Sequence, residues 1–355
     1  MIKILHSADW HLDSPLLFRD PRQTRYLREA LAEIPGKIAA LCKQERCDLM
    51  LLSGDLFDGA YTAGTLQQLK AILQDVAVPV FITPGNHDYV GSESPWIKEV
   101  WPQNVHIFTR PVIESVVLED LDLRIYGAGF TSMDCPGLME NFTANHTEQY
   151  KVGILHGDPT QAKSPYCPIT KQQIQSSGLD YLALGHIHKG DSFRAGKTLC
   201  AWPGCPMGRG YDENGNKGVL IVALAETADA KFVPLDTPRF HDLELPVGDD
   251  PARALDMVLP AFGNNDFYRI TFTGHSRPLD TDSLLRPEFP NLVLRDRTLP
   301  PVDVWGSAGQ DTFEGRYFKL LQDKLESADE ETQRKIILAA EISRKILDGQ
   351  EVVLP

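Results

Sequence analysis

Aspartate, asparagine and histidine recur in this 355-residue chain just after short apolar runs, in a pattern that suits metal chemistry. Ile2–Leu5 leads into His6-Ser7-Ala8-Asp9-Trp10-His11, and Asp48–Leu52 into Ser53-Gly54-Asp55. Val78–Thr83 leads into Pro84-Gly85-Asn86-His87-Asp88, Tyr150–Leu155 into His156-Gly157-Asp158, and Tyr181–Leu184 into Gly185-His186-Ile187-His188. Carboxylate and neutral imidazole together bind divalent metals such as Mn²⁺ well. Asp9 and His11 stand two apart, as do His186 and His188, so near a strand end each pair can point the same way. Gly54 before Asp55 and Gly85 before Asn86 allow tight turns or close approach that a larger residue resists. Taken alone, Gly-Asn-His-Asp reads as a turn closed by an asparagine side chain, and Gly-His-x-His as a packed pair. Five such segments in one chain point instead to a metal centre.

The runs that precede these residues are short, Leu-rich or β-branched and bounded by glycine, which predicts strands. Residues 24–46 and 61–75 mix apolar and charged positions at helical spacing and lie between the first three strands, which predicts right-handed βαβ units. From Leu123–Tyr126 to Gly218–Leu224 strands crowd together and helices thin out, predicting a second sheet packed on the first. The expected fold is α/β, a layered sandwich over residues 1–237. Phe267–Thr273 alternates like a strand and Leu292–Leu294 is a further short one, so 238–300 reads as a small accessory α/β domain. Residues 301–312 read as a linker, and 313–325 and 328–348 as two helices in a C-terminal segment 313–355. Ser327 with Glu330 suggests a capping box, and Gly349 a helix end. The apolar positions Leu325, Ile336, Ile337, Ala340, Ile346 and Leu347 suit packing on the chain's own body or docking of a partner protein.

No run of 18 apolar residues suggests a membrane span, and Met1–His6 does not read as a signal peptide. The six cysteines lack any Cys-x-x-Cys pair and read as free thiols, which predicts a cytoplasmic protein. A net charge of −14 argues against a nucleic-acid partner, because phosphate binding relies on Lys and Arg. The charge is uneven: residues 51–150 carry four basic and thirteen acidic side chains, residues 151–200 six basic and three acidic. Arg19, Arg22, Arg25 and Arg28 recur every third residue, either as a solvated helix face or as a substrate-gripping stripe.

Asp9-x-His11, Gly54-Asp55, Gly85-Asn86-His87-Asp88, His156-Gly157 and Gly185-His186-x-His188 together resemble the motif series of the calcineurin-like metallophosphoesterases. Within that superfamily, His6–Leu12 and Ser53–Asp58 resemble the DNA-repair exonucleases of the SbcD and Mre11 nuclease group, convincingly over residues 1–225. The resemblance implies an α/β/β/α sandwich with two metal ions, Mn²⁺ being expected. One ion would be held by Asp9, His11, Asp55 and His188. The other would be held by Asp55, Asn86, His156 and His186, with Asp55 bridging. It further implies His87 as acid or transition-state stabiliser, Asp88 as the group orienting it, and in-line attack by water. The implied activity is exonuclease action on DNA ends, with some endonuclease action, in DNA repair. The implied partners are DNA, an SbcC/Rad50-like coiled-coil ATPase and a second copy of the chain. A phosphodiesterase or phosphatase for a small nucleotide or phosphoprotein uses the same centre and stands as the alternative, as does a DNA-associated scaffold without catalysis. His6 and Asp158 are read as groups that orient a ligand or close a loop, and Trp10 as a core residue under the metals or a ring stacked on substrate.

Overall fold

The computed structural model describes residues 1–248, 250–300 and 303–349. Residues 301–302 of the expected linker and 350–355 of the expected C-terminal segment lie outside the described residues. The chain opens on strand β1 (Ile2–Ser7), and helices α1 (Pro21–Ala32) and α2 (Ile34–Glu45) lead to β2 (Leu49–Leu52). Helix α3 (Ala63–Val76) leads to β3 (Val80–Ile82), and a short α4 (Pro95–Lys98) to β4 (Val105–Ile107). The single helical stretch expected over 24–46 is two helices. Pro35 sits in the first turn of α2, where its missing N–H costs nothing, and the chain breaks at Glu33 instead of running through.

Strands β5 (Glu114–Leu118), β6 (Leu123–Gly127) and β7 (Tyr150–His156) follow, then helix α5 (Lys171–Ser176) and strands β8 (Tyr181–Gly185), β9 (Lys189–Ala195) and β10 (Thr198–Gly204). Strands β11 (Gly218–Leu224) and β12 (Ala228–Pro234) come next. Two six-stranded sheets result, ordered β12-β11-β1-β2-β3-β4 and β5-β6-β7-β8-β10-β9. The expected layered sandwich is present, with one correction: β11 belongs to the first sheet, not the second. It pairs antiparallel with β1, Ile4 opposite Val222, and so closes the edge of β1 that the parallel β2 leaves open. Its apolar run suits either sheet, and only the return of the chain after β10 selects the partner.

Alternation along each strand builds the layers. Ile4, Leu49, Leu51 and Phe81 face Ile125, Ile154, Tyr181 and Ala183 in the core between the sheets. Their neighbours Leu5, Met50, Leu52 and Ile82 face the other way, onto Leu27, Ile38, Leu69 and Leu73 of α1, α2 and α3. On the far side, Tyr126, Leu155, Leu182, Leu184 and Trp202 pack with Ile174 of α5. Each of the Leu, Ile, Met and Phe side chains among these contributes about 1.5–3 kcal/mol on burial.

The chain continues through β13 (Phe240–Pro246), α6 (Pro251–Val258), β14 (Phe267–Thr273) and β15 (Leu292–Asp296), which form a three-stranded sheet β13-β14-β15, and ends in α7 (Phe313–Glu326) and α8 (Glu330–Leu347). Compactness divides the chain into two units. The first comprises Met1–Asp242, Asn264–Arg269 and Phe289–Asn291; the second comprises Leu243–Gly263, Ile270–Glu288 and the chain from Leu292 onward. Aromatic packing explains why 264–269 joins the first: the Phe267 ring stacks on Phe240 at 4.7 Å and lies 5.7 Å from Phe18. In the second unit Phe318 of α7 is buried under the Arg344 guanidinium of α8, 4.4 Å away. Asp329, not Ser327, caps α8, accepting from Thr332 N–H at 2.8 Å, because Ser327 already terminates α7. Gly349 takes the left-handed conformation at the end of α8, as expected.

A buried polar network centred on His6 crosses the sandwich. His6 of β1 holds the Tyr181 hydroxyl of β8 at 2.7 Å and the Ser53 hydroxyl at 2.8 Å, all buried. Burial keeps this imidazole neutral, lowering its pKa to about 3. Tyr181→Phe removes the hydroxyl that one ring nitrogen of His6 holds. The expected loss is about 1–3 kcal/mol in denaturant unfolding, and an unchanged midpoint would show that the contact is idle.

Candidate metal centre

The chemistry-bearing segments meet where β1, β2, β3, β7 and β8 end. Short backbone bonds join the first two loops: Asp9 N–H donates to Gly54 O at 3.0 Å and His11 N–H to Asp55 O at 3.0 Å. Asp9, His11, Asp55 and His186 all take positive φ, at 56°, 48°, 52° and 95°. Non-glycine residues rarely adopt that conformation, and it persists where surrounding contacts over-determine it. Here the contacts are visible. The Asp9 carboxylate accepts from His186 N–H at 2.9 Å, and that of Asp55 from His87 N–H at 2.8 Å.

The resulting groupings are tight. Ligand atoms of Asp9, His11 and His188 lie within 4.8 Å of one another, and so do those of Asp9, Asp55 and His156. The Asp55 carboxylate reaches both sides, 3.9 Å from His11 Nε2 and 3.4 Å from His156 Nε2. Asn86 Oδ1 lies 2.9 Å from His156 Nε2 and 3.3 Å from His186 Nδ1. Thus all seven expected ligands converge.

Hydrogen bonds on the far side of each ring set the tautomers. His156 Nδ1 donates to Ser53 O at 2.9 Å, His11 Nδ1 to Asp58 at 3.1 Å and His188 Nδ1 to Glu213 at 2.6 Å. Each Nε2 therefore presents a lone pair inward. Those of His11 and His188 face each other at 3.1 Å, and that of His156 faces a carbonyl oxygen and a carboxylate. Lone pairs and carboxylates gathered in a buried space repel one another unless positive charge lies among them. Burial lowers the His156 pKa, yet the Asp55 carboxylate outweighs it and raises it to about 9, so this position draws a proton. The donor set, carboxylate oxygen, amide oxygen and imidazole, fits two divalent cations.

Asp88 differs from expectation. Its carboxylate does not touch His87; it accepts from the backbone N–H groups of Gly85 (2.7 Å), Leu56 (2.7 Å), Asp55 (3.2 Å) and Phe57 (3.3 Å). It ties the β2 and β3 loops together, because it points inward while His87 points to solvent. The group that orients His87 is Asp58, whose Oδ1 lies 2.9 Å from His87 Nδ1 and 3.1 Å from His11 Nδ1. Its signal in the sequence was its place three residues after Asp55, the reach of one turn. Asp58 in turn raises the His87 pKa above that of an ordinary histidine.

Glu213 and Arg209 were also missed. They lie in the glycine-rich loop after β10, and Glu213 is buried against His188. Nothing local marks a carboxylate in such a loop as a partner of a histidine 25 residues earlier. His6 touches no ligand directly, but grips the side chain of Ser53, whose carbonyl holds His156. Asp158 closes its own loop, accepting from Thr160 and Gln161 N–H. Trp10 is a core residue, buried and bonded to the Ser7 hydroxyl at 2.8 Å. Of the arginine stripe, Arg22, Arg25 and Arg28 lie on α1 and Arg19 precedes it; Arg22 pairs with Asp20 at 2.7 Å, and Arg28 donates to Pro15 O at 2.6 Å.

A family model described as calcineurin-like phosphoesterase matches residues 2–190, which include every candidate ligand. The chain belongs to this family. Among its calcineurin-like relatives, an uncharacterized metallophosphoesterase YhaO of Bacillus subtilis is 34% identical over 256 residues, covering 68% of this chain and 61% of that protein. The chain thus spans less than two thirds of that relative's length. The SbcD subunit of the nuclease SbcCD from Staphylococcus epidermidis is 24% identical, covering 82% of this chain and 84% of the relative. Its B. subtilis counterpart, the SbcD subunit of that organism's nuclease SbcCD, is 22% identical, covering 62% and 66%.

Two substitutions test the centre of this calcineurin-like site. A Cβ at Gly85 would stand 2.3 Å from Asp55 Oδ1 and 2.8 Å from His156 Nδ1. Gly85→Ala is therefore expected to abolish Mn²⁺ binding in calorimetry while circular dichroism stays unchanged; normal binding would contradict the packing. Asp58→Asn removes the carboxylate that holds a proton on His87. The His87 pKa, followed by NMR titration, should fall, and a value at or above that of the parent would refute the assignment.

Proposed function

We propose that this chain is a two-metal phosphodiesterase acting on nucleotide phosphoesters. The observation that carries the reading is a cleft of about 700 Å³ beside His87 and Asn86. Phe57, Tyr61, Tyr89 and Met133 line it, and no Lys or Arg is among its lining residues. Its carboxylates are Asp88, tied to backbone, and Glu93, paired with Lys98. Such walls suit an uncharged planar base and disfavour a run of phosphates. The −14 charge supports a small substrate over a long nucleic-acid track.

In this reading Asp9, His11, Asp55 and His188 hold one Mn²⁺, and Asp55, Asn86, His156 and His186 the other. Bound there, the metals supply Lewis-acid polarisation of the phosphoryl group and a water of lowered pKa. His87 donates a proton to the leaving oxygen, and Asp58 keeps that proton in place and the ring aimed. Asp88 clamps the two loops from below. Asn86 contributes a neutral oxygen, which limits repulsion of an anionic substrate. A leaving nucleoside then lies on the His87 side, in the cleft.

A second reading, exonuclease action on DNA ends in DNA repair, is favoured by the extended likeness to the SbcD subunit of nuclease SbcCD. Residues 1–237 would then be catalytic, 238–300 a capping module, 301–312 a linker and 313–355 the docking segment. The partner would be an SbcC-like ATPase, met by exposed Leu320, Ile337, Leu338 and Ile346 of α7 and α8. Such a complex would be dimeric and cytoplasmic.

Purified protein with Mn²⁺ separates the readings when offered linear duplex DNA, closed-circular DNA, bis-p-nitrophenyl phosphate, p-nitrophenyl phosphate and a cyclic nucleotide. Turnover of the small diesters without DNA cleavage is expected, and digestion of linear duplex would favour the second reading. His87→Ala should lower kcat by about 10²–10⁴-fold. Because the active form is protonated, the rate should fall as pH rises through the His87 pKa, and that limb should be absent from the variant.

A further inference from the structure

The glycine-rich loop after β10 places a guanidinium at the edge of the metal centre. Arg209 is anchored by Glu213, and its Nη2 also lies 3.2 Å from His188 Nδ1. Its backbone N–H donates to Glu213 Oε2 at 2.8 Å, and its Nη2 to Glu213 Oε1 at 2.9 Å. Its Nε reaches Glu213 Oε2 at 3.4 Å. The Glu213 carboxylate also takes the His188 ring proton and a contact from the Cys205 thiol at 3.7 Å. The fork is therefore held against a buried partner, and little side-chain freedom remains to be lost.

The other arm, Nη1, turns toward the candidate ligands. It lies 4.0 Å from Asp58 Oδ2, outside hydrogen-bond reach. Asp58 Oδ1 holds His87 and His11. One carboxylate thus has the His87 ring on one oxygen and the Arg209 arm near the other, so both cationic groups border the same edge of the centre. The Arg209 side chain is 19% exposed, enough to meet a ligand arriving there.

Charge makes the position informative. A fixed guanidinium beside two divalent cations opposes their binding, and His188 Nδ1 has its shorter contact with Glu213, at 2.6 Å against 3.2 Å to Arg209. The arrangement becomes favourable when an anion arrives, since planar N–H donors match phosphoryl oxygens. We propose that Arg209 is a substrate-contacting residue whose Nη1 donates to a non-bridging phosphoryl oxygen. This rests on the phosphoester reading of the centre, but not on the choice of nucleotide as substrate.

The test measures binding of inorganic phosphate to the Mn²⁺-loaded full chain by calorimetry, with metal content from elemental analysis of the same samples. Arg209→Ala should weaken phosphate binding about 10–100-fold at unchanged Mn²⁺ content. Arg209→Lys keeps the charge beside Glu213 but loses the fork. It should also bind phosphate more weakly, and it carries the comparison if the alanine variant does not fold. Unchanged phosphate affinity with full metal content overturns the proposal. Loss of Mn²⁺ also overturns it, because the arginine would then be a positioning residue acting through Glu213 and His188. Phosphate binding is read without any substrate turnover, so failure of the nucleotide reading is separately visible in the substrate panel.

Discussion

Acceptor atoms crowded into a buried space govern this molecule. Asp55 and the lone pairs of His11, His156 and His188 point at one another at 3–4 Å, and Asp9 lies within 4.8 Å of them. Such an arrangement is stable only if cations share the space and if the rings cannot rotate away. Ser53, Asp58 and Glu213 block that rotation by holding each ring from behind. Removing the Asp58 or Glu213 carboxylate would free a ring to turn its N–H inward.

The sandwich exists in a form that permits this. Parallel strands β1, β2 and β3 in one sheet and β7 and β8 in the other end at the same rim, so loops distant in sequence become neighbours. His6 and Tyr181 tie β1 to β8 just below that rim. Four candidate ligands with positive φ show that the loops are bent beyond ordinary preference, and the buried Asp88 carboxylate and its four backbone donors help hold that bend. Local strain and inter-sheet packing therefore act on the same atoms.

Charge is arranged in alternation around the centre. Asp58 and Glu213 stand outside the imidazoles, and Arg209 lies between these two carboxylates. Burial would raise the Glu213 pKa, but the His188 and Arg209 donors outweigh it and keep the carboxylate ionised. The outer carboxylates make the rings better electron donors to a metal, which is the usual effect of such partners.

Sequence by itself determined the candidate ligand types and most strands. Asp9-x-His11, Gly54-Asp55, Gly85-Asn86 and His186-x-His188 are local patterns, and a strand end with glycine beside a ligand is legible from neighbours alone. Alternation in Ile2–Leu5 and Phe267–Thr273 likewise marks strands without further information. What tertiary structure decided is which distant groups meet. The pairing of β11 with β1, the hold of Asp58 on His87, the turning of Asp88 onto backbone, and the reach of Glu213 to His188 all join segments 25 or more residues apart. No periodicity encodes those meetings, because they depend on the closing of two sheets and not on the residues on either side.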